Sequence, residues 1–243
     1  MSEPARGTRA FDRIVVKLSG EALMGAGTHG LDAATVSRIA ADLKAAADLG
    51  AEVAVVVGGG NFFRGIQGAD KGIERARADS IGMLATVMNA LAMEGALEAI
   101  GQPARTLSAV AMPSLCQPYS RQAALAHLVK RRVIMLAGGT GNPFFTTDTG
   151  AVLRAAELSA GAVFKATQVD GVYSADPKKD PKATRYDTLS QDEAIEKRLQ
   201  IMDTAAFALA RDNRLPIVVF SIAEPGAIPR ALMREGAATY VMP

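Results

Sequence analysis

The sequence has little of the side-chain chemistry on which many enzymes depend. It carries one cysteine, Cys116, and two histidines, His29 and His127. A single thiol excludes an intramolecular disulfide framework and any cysteine-based metal cluster, and it suits a reducing compartment, so a cytoplasmic location is expected. Cys116 reads as a small residue in a loop beside a helix rather than a nucleophile. His127 falls in a helical stretch, and a triad or phosphohistidine mechanism has little to build on. Excess charge is missing too: 27 basic against 25 acidic residues leave a formal net charge of +2. Without the broad basic field of a nucleic-acid binder, any anion site must be local. No apolar run approaches the roughly 18 residues of a membrane span, and the opening MSEPARGTRAFD lacks the apolar stretch of a signal peptide. A soluble, unexported protein without a membrane partner is expected. The Walker pattern GxxxxGK[ST], a GxGxxG behind a strand, and the HRD and DFG strings are all absent, which sets aside the commonest nucleotide folds and a dinucleotide-dependent dehydrogenase.

What is present is a regular alternation. β-branched runs at 13–18, 52–57, 132–137, 162–166 and 216–221 have the length and continuous apolar character of strands buried on both faces. Ala-rich stretches with helical spacing occupy 32–49, 75–100, 119–130, 149–159 and 203–213. The pattern predicts an α/β protein, a mostly parallel central sheet with helices on both faces in three layers. A single domain over 12–243 is expected after a tail at 1–11, with the Lys/Asp/Pro-rich stretch 176–187 as an excursion.

Polar, glycine-rich loops follow these strands: SGE after the first, then GGGNFFRG (58–65), GGTGNPFFTTD (138–148) and TQVDGVYSADP (167–177). In an open parallel sheet the carboxyl ends of the strands share one edge, so these loops converge on one crevice. Each alone is an ordinary turn. Together they offer backbone N–H groups to an anion, and a helix beginning near Thr147 adds its positive end. Lys17 and Arg64 supply formal charge. A lysine in an apolar strand is commonly an edge residue reaching for water, but beside Ser19 and Gly20 its ammonium can enter the crevice and neutralise a phosphoryl group in transfer.

KLSGEAL (17–23), VGGGNFFRG (57–65), RADSIGMLAT (77–86), GTGNPFFTTD (139–148) and KATQVDGVYSADPKKDP (165–181) closely resemble the amino acid kinase fold family, and GTGNPFFTTD resembles its uridylate branch. Sister enzymes acting on aspartate, glutamate, acetylglutamate or carbamate would need a carboxylate-reading loop there instead. The resemblance implies transfer of the ATP γ-phosphoryl group to UMP in pyrimidine nucleotide biosynthesis. It also implies a UMP-side lobe over about 12–160 and an ATP-side lobe over about 161–243. Magnesium would arrive with ATP, without a dedicated protein site.

Position by position, the resemblance assigns Lys17, Leu18, Ser19, Gly20, Gly60 and Arg64 to the ATP phosphates, and Thr167, Tyr173 and Asp176 to the base and sugar of ATP. Gly59, Asp79, Thr140, Gly141, Asn142, Pro143, Phe144, Phe145, Thr146 and Thr147 match the UMP site. Lys17, Arg64, Asp148 and Asp203 would carry catalysis, although Asp203 also reads as the N-cap of the helix that follows. Gly25, Ala26, Gly27, Thr28, His29 and Gly30 align with an effector region. The family pattern has an aromatic where His29 stands, so weak or absent activation by GTP is expected; UTP is the implied inhibitor. The family is commonly hexameric, and helix 75–100 could supply an interface or serve as a core helix. Two other readings stay open: another small-molecule kinase of the same fold, and a non-catalytic nucleotide sensor.

Overall fold

The computed structural model describes residues 9–63, 72–177, 179–180 and 182–243. Its strands are β1 (Arg13–Leu18), β2 (Glu52–Val57), β3 (Ala104–Ser108), β4 (Gln117–Pro118), β5 (Val133–Ala137), β6 (Ala162–Thr167), β7 (Thr188–Ser190), β8 (Ile217–Ser221) and β9 (Ala238–Met242). The helices are α1 (Ala33–Asp48), α2 (Arg75–Ala99), α3 (Arg121–Val129), α4 (Thr147–Glu157), α5 (Gln191–Glu196), α6 (Thr204–Asp212) and α7 (Ala227–Leu232). The strands form one sheet in the order β4-β3-β5-β2-β1-β6-β8-β9-β7. Its ladders are parallel except β8 with β9.

Alternation along the strands sorts the core onto two faces. Ile14, Val16 and Leu18 pack with Ile39 and Leu43 of α1, Met93 and Leu97 of α2 and Ile228 of α7. Val15, Val56 and Val163 pack with Leu128 of α3, Val152 of α4 and Ala206 of α6 on the other face. This is the three-layer arrangement expected from the alternating pattern.

The order of strands places the site. After β1 the chain adds strands on the β2 side, and from β6 onward it adds them on the other, so β1 and β6 are neighbours at the point where the winding reverses. A crevice opens outside the carboxyl ends of strands at such a point. Lys17 of β1 lies in register with Lys165 of β6, and the two face α4 because they alternate in phase with Val15 and Val163.

Helix α2 departs from expectation in one respect. By length and composition it is apolar enough to cross a membrane, with mean hydropathy 1.3 over its best window, which corrects the reading that no stretch approaches that size. Its Ala78, Val87, Ala90, Met93 and Leu97 are buried in the protein, as suits a core helix. Leu84 and Met88 are 48% and 51% exposed on its other side.

Candidate active site

At the switch point, Asp148 stands between two lysines. Lys17 Nζ lies 2.8 Å from Asp148 Oδ1, and Lys165 Nζ lies 2.7 Å from Asp148 Oδ2. Lys165 also donates to the Ile201 carbonyl at 2.6 Å. Asp148 enters the first turn of α4 because the capping residue Thr146 accepts N–H bonds from Asp148 and Thr149 at 3.0 and 3.3 Å. A carboxylate there is favoured by the helix dipole. Burial pushes the Asp148 pKa up, but the charges of Lys17 and Lys165 outweigh it and hold the group below the usual carboxylate value. Each oxygen of the Asp148 carboxylate is thus paired with one ammonium group.

Asp203 is the N-cap of α6, accepting from the Ala206 N–H at 3.0 Å, as one sequence reading foresaw. Its carboxylate also receives the hydroxyls of Thr146 and Thr149. It therefore ties the start of α6 to the start of α4 and steadies the turn that presents Asp148.

Backbone closeness explains the glycines after β1 and β2. A Cβ on Gly20 would lie 2.6 Å from Asn61 Oδ1 and 2.7 Å from the Gly58 carbonyl, and one on Gly59 would lie 2.7 Å from the Gly82 carbonyl. Leu18 is fully buried and can offer only its backbone, while Ser19 caps the short 3-10 turn Gly20–Leu23. Gly60 lies in the turn after β2. Two buried asparagines clamp these loops. Asn61 and Asn89 exchange amide hydrogen bonds at 2.9 and 2.7 Å, Asn89 donates to the Gly58 carbonyl at 2.6 Å, and Asn61 donates to the Gly30 carbonyl at 2.9 Å. The segment Gly25, Ala26, Gly27, Thr28, His29, Gly30 is thereby joined to the glycine loop, and the His29 ring meets Phe62 edge-on at 5.6 Å. Histidine here does supply an aromatic contact.

One cleft is lined by Gly59, Phe63, Asp79, Thr86, Thr140, Asn142, Phe145 and Thr147, among others. Asp79 is held by Arg75 at 2.9 Å and accepts the Phe144 N–H at 2.8 Å. That bond fixes Phe144 at φ 72°, a left-handed conformation uncommon for a residue with a side chain. Gly141 shares the left-handed region at φ 81°. Gly141, Pro143, Phe144 and Thr146 shape the loop without lining the cleft. Thr86 accepts the Gly138 N–H at 2.8 Å, anchoring the loop to α2. The enclosed volume is about 130 Å³, below the roughly 300 Å³ at which small-molecule pockets usually begin, so a nucleotide seated there must protrude into the crevice or widen it.

A second cleft, of about 560 Å³, is lined by Lys165, Thr167, Val169, Tyr173, Asp176, Arg198 and Gln200, among others. Thr167 makes a local turn with Val169, and the Tyr173 hydroxyl donates to Asp170 at 2.7 Å. Arg64 lies outside the described residues. Lys165, Asn61, Asn89 and Thr86 had no role in the sequence reading. Lys165 alone had a usable signal: it repeats in AVFKA the position Lys17 holds in RIVVKL.

Among the described residues the donor set does not make a resident metal site: no three His, Cys, Asp or Glu side chains form a metal-binding group, and both Asp148 oxygens are paired with lysines. Cys116 is buried, which pushes its thiol pKa up and disfavours thiolate.

A mostly parallel α/β sheet with a cation-rich switch point between two clefts defines a phosphate-handling protein of the open α/β class. The chain belongs to the amino acid kinase family, whose model matches residues 12–221. It is 62% identical over 233 residues to the uridylate kinase of Azorhizobium caulinodans, covering 96% of this chain and 98% of that one. It is 57% identical to the uridylate kinase of Nitrobacter hamburgensis, covering 99% of each. The crystal structure of UMP kinase from Bacillus anthracis superposes with a TM-score of 0.92 at 37% identity, covering 96% of this chain and 97% of that one. UMP kinase from Ureaplasma parvum gives 0.91 at 34%, covering 95% and 98%.

Proposed function

We propose that this enzyme transfers the γ-phosphoryl group of ATP to UMP, giving UDP and ADP. The observation that carries the reading is the Lys17–Asp148–Lys165 cluster between two clefts, in a chain similar to uridylate kinases along nearly its whole length. UMP occupies the Asp79 and Thr140–Thr147 side, about 12–160, and ATP the Thr167, Tyr173 and Asp176 side, about 161–243. The UMP phosphate, with a second pKa near ~6, is mostly a dianion at neutral pH and attacks without a general base. The protein's work is to hold two repelling anions in line and stabilise charge in a loose transition state. Lys17, Arg64 and loop N–H groups do this, while Asp148 and Asp203 orient the lysines and the α4 turn. Magnesium enters as part of the ATP substrate. Measuring ADP release with UMP, CMP, dUMP, aspartate and glutamate tests the reading: UMP should turn over fastest, and a faster amino acid substrate would overturn it.

The exposed Leu84 and Met88 of α2 are the surface through which copies of this chain assemble, a hexamer by family resemblance. Leu84→Asp should lower the mass seen by sedimentation while leaving the fold intact. GTP, whose region by resemblance is the segment 25–30 that reaches Phe62, should activate weakly or not at all with His29 in place of the family's aromatic, and UTP should inhibit; rate against each at fixed ATP and UMP tests this. The cytoplasm, with its nucleotide pools, is where the enzyme works.

A further inference from the structure

We infer that Lys165 is a second phosphate-binding cation of the reaction, meeting the phosphate chain of the donor nucleotide across Asp148 from Lys17. The inference rests on the donor cleft proposed above and extends it by one catalytic residue.

Charge balance is the first argument. One carboxylate stands between two ammonium groups, and the side chains of Lys17, Lys165 and Asp148 are only 13%, 16% and 13% exposed. Lys17 alone neutralises Asp148. The cluster therefore keeps a net positive charge away from bulk water, an unfavourable arrangement unless an anion completes it. The Ile201 carbonyl offers Lys165 only a dipole. Geometry is the second argument. Lys165 lines the cleft of about 560 Å³ together with Thr167, Tyr173 and Asp176. An ammonium has three donors; two go to Asp148 and Ile201, leaving one for a phosphate oxygen.

Topology is the third. Lys17 and Lys165 are register partners on the strands that flank the switch point, so the same alternation that aims one at the crevice aims the other. In the transfer, a phosphate oxygen of UMP bonds to the γ-phosphorus and the bond from that phosphorus to the bridging oxygen breaks. The electron pair leaves on the terminal phosphate of ADP. Lys165 stands on the donor side, where that charge accumulates.

The test uses the full-length protein carrying Lys165→Gln, which keeps a hydrogen-bond donor for Asp148 or Ile201 but removes the charge, with Lys165→Met as a second variant. Binding is measured first without UMP. ATP and ADP should bind about tenfold or more weakly than to wild type, with a shallower salt dependence, while adenosine binds equally well. In turnover, kcat should fall about 30-fold or more with KM for UMP within a few-fold. ATP and ADP affinities within about twofold of wild type, or equal losses for adenosine and ATP, would overturn the inference. If wild type releases no ADP with UMP, the acceptor assignment fails by itself, and the ATP and adenosine titrations still decide Lys165.

Discussion

Lys17 and Asp148 share a requirement that neither meets alone. Removing the lysine leaves Asp148 with Lys165, so the site still folds, but the cation proposed to face the transferring group is gone. Lys17→Ala should lower kcat by about 100-fold or more while nucleotide still binds; a near-normal kcat in steady-state assays would remove Lys17 from the transfer step. Lys17→Arg should also fail, because a planar fork does not replace a compact charge beside Gly20. For Asp148 the lysine pair has a consequence for acid stability. Its carboxyl pKa is depressed in the fold, so the ionised form adds stability that is present above the ordinary value of 3.8 and is lost as pH falls through the folded value. Asp148→Asn leaves two lysines facing each other. Its melting temperature should lie below wild type at pH 7, and the gap should narrow below pH 3.8 as the wild-type carboxyl protonates. A gap that stays constant across that range would mean the ion cluster adds nothing.

Helix α2 illustrates how an element hides its function. Its spacing announces a core helix, and Asn89 reads there as one polar residue among many. Fully buried, it instead fixes Gly58 and Asn61 and, through Asn61, Gly30. Asn89→Leu leaves the Gly58 carbonyl without that donor and should cost about 1–3 kcal/mol of stability. It should also lower kcat/KM for ATP, because the glycine loop is no longer held; thermal melts and kinetics on one preparation separate the two losses. The strands divide in the same way. β1, β2, β5, β6 and β8 were legible because strands buried on both faces are continuous runs of β-branched residues. ARTLS of β3 mixes one charged and two polar residues among its apolar ones, β4 and β7 are two and three residues long, and ATYVM of β9 follows the six-residue α7 without a pattern. The glycines and Lys17 were legible in the site because unusual residues stand after each strand. Lys165 had only its repeat of the Lys17 position as a signal, which gained a meaning when register set it beside Lys17, and the asparagine clamp is a long-range contact that spacing does not encode.

Across the whole molecule, the sheet joins two halves of different origin in sequence. β1 to β5 frame the smaller cleft together with the loop that follows β5, and β5 ends at Ala137, whereas β7 pairs only with β9 among the described residues, and β9 ends at Met242. The ribosome therefore delivers the elements around the two clefts at different times. At about 5–20 residues per second, the roughly one hundred residues between the ends of β5 and β9 take some ~5–20 s of synthesis. A nascent chain arrested once α4 has emerged should already resist protease over β1 to β5. Its Lys17 and Asp148 can meet then, with β6 still without β8 and Lys165 not yet seated beside them. Protection of the far edge should appear only once residues 238–242 are in place, so a stop codon at position 234 should yield a protein cut by protease at β7, whose only strand partner among the described residues is β9, while β1 to β6 resist.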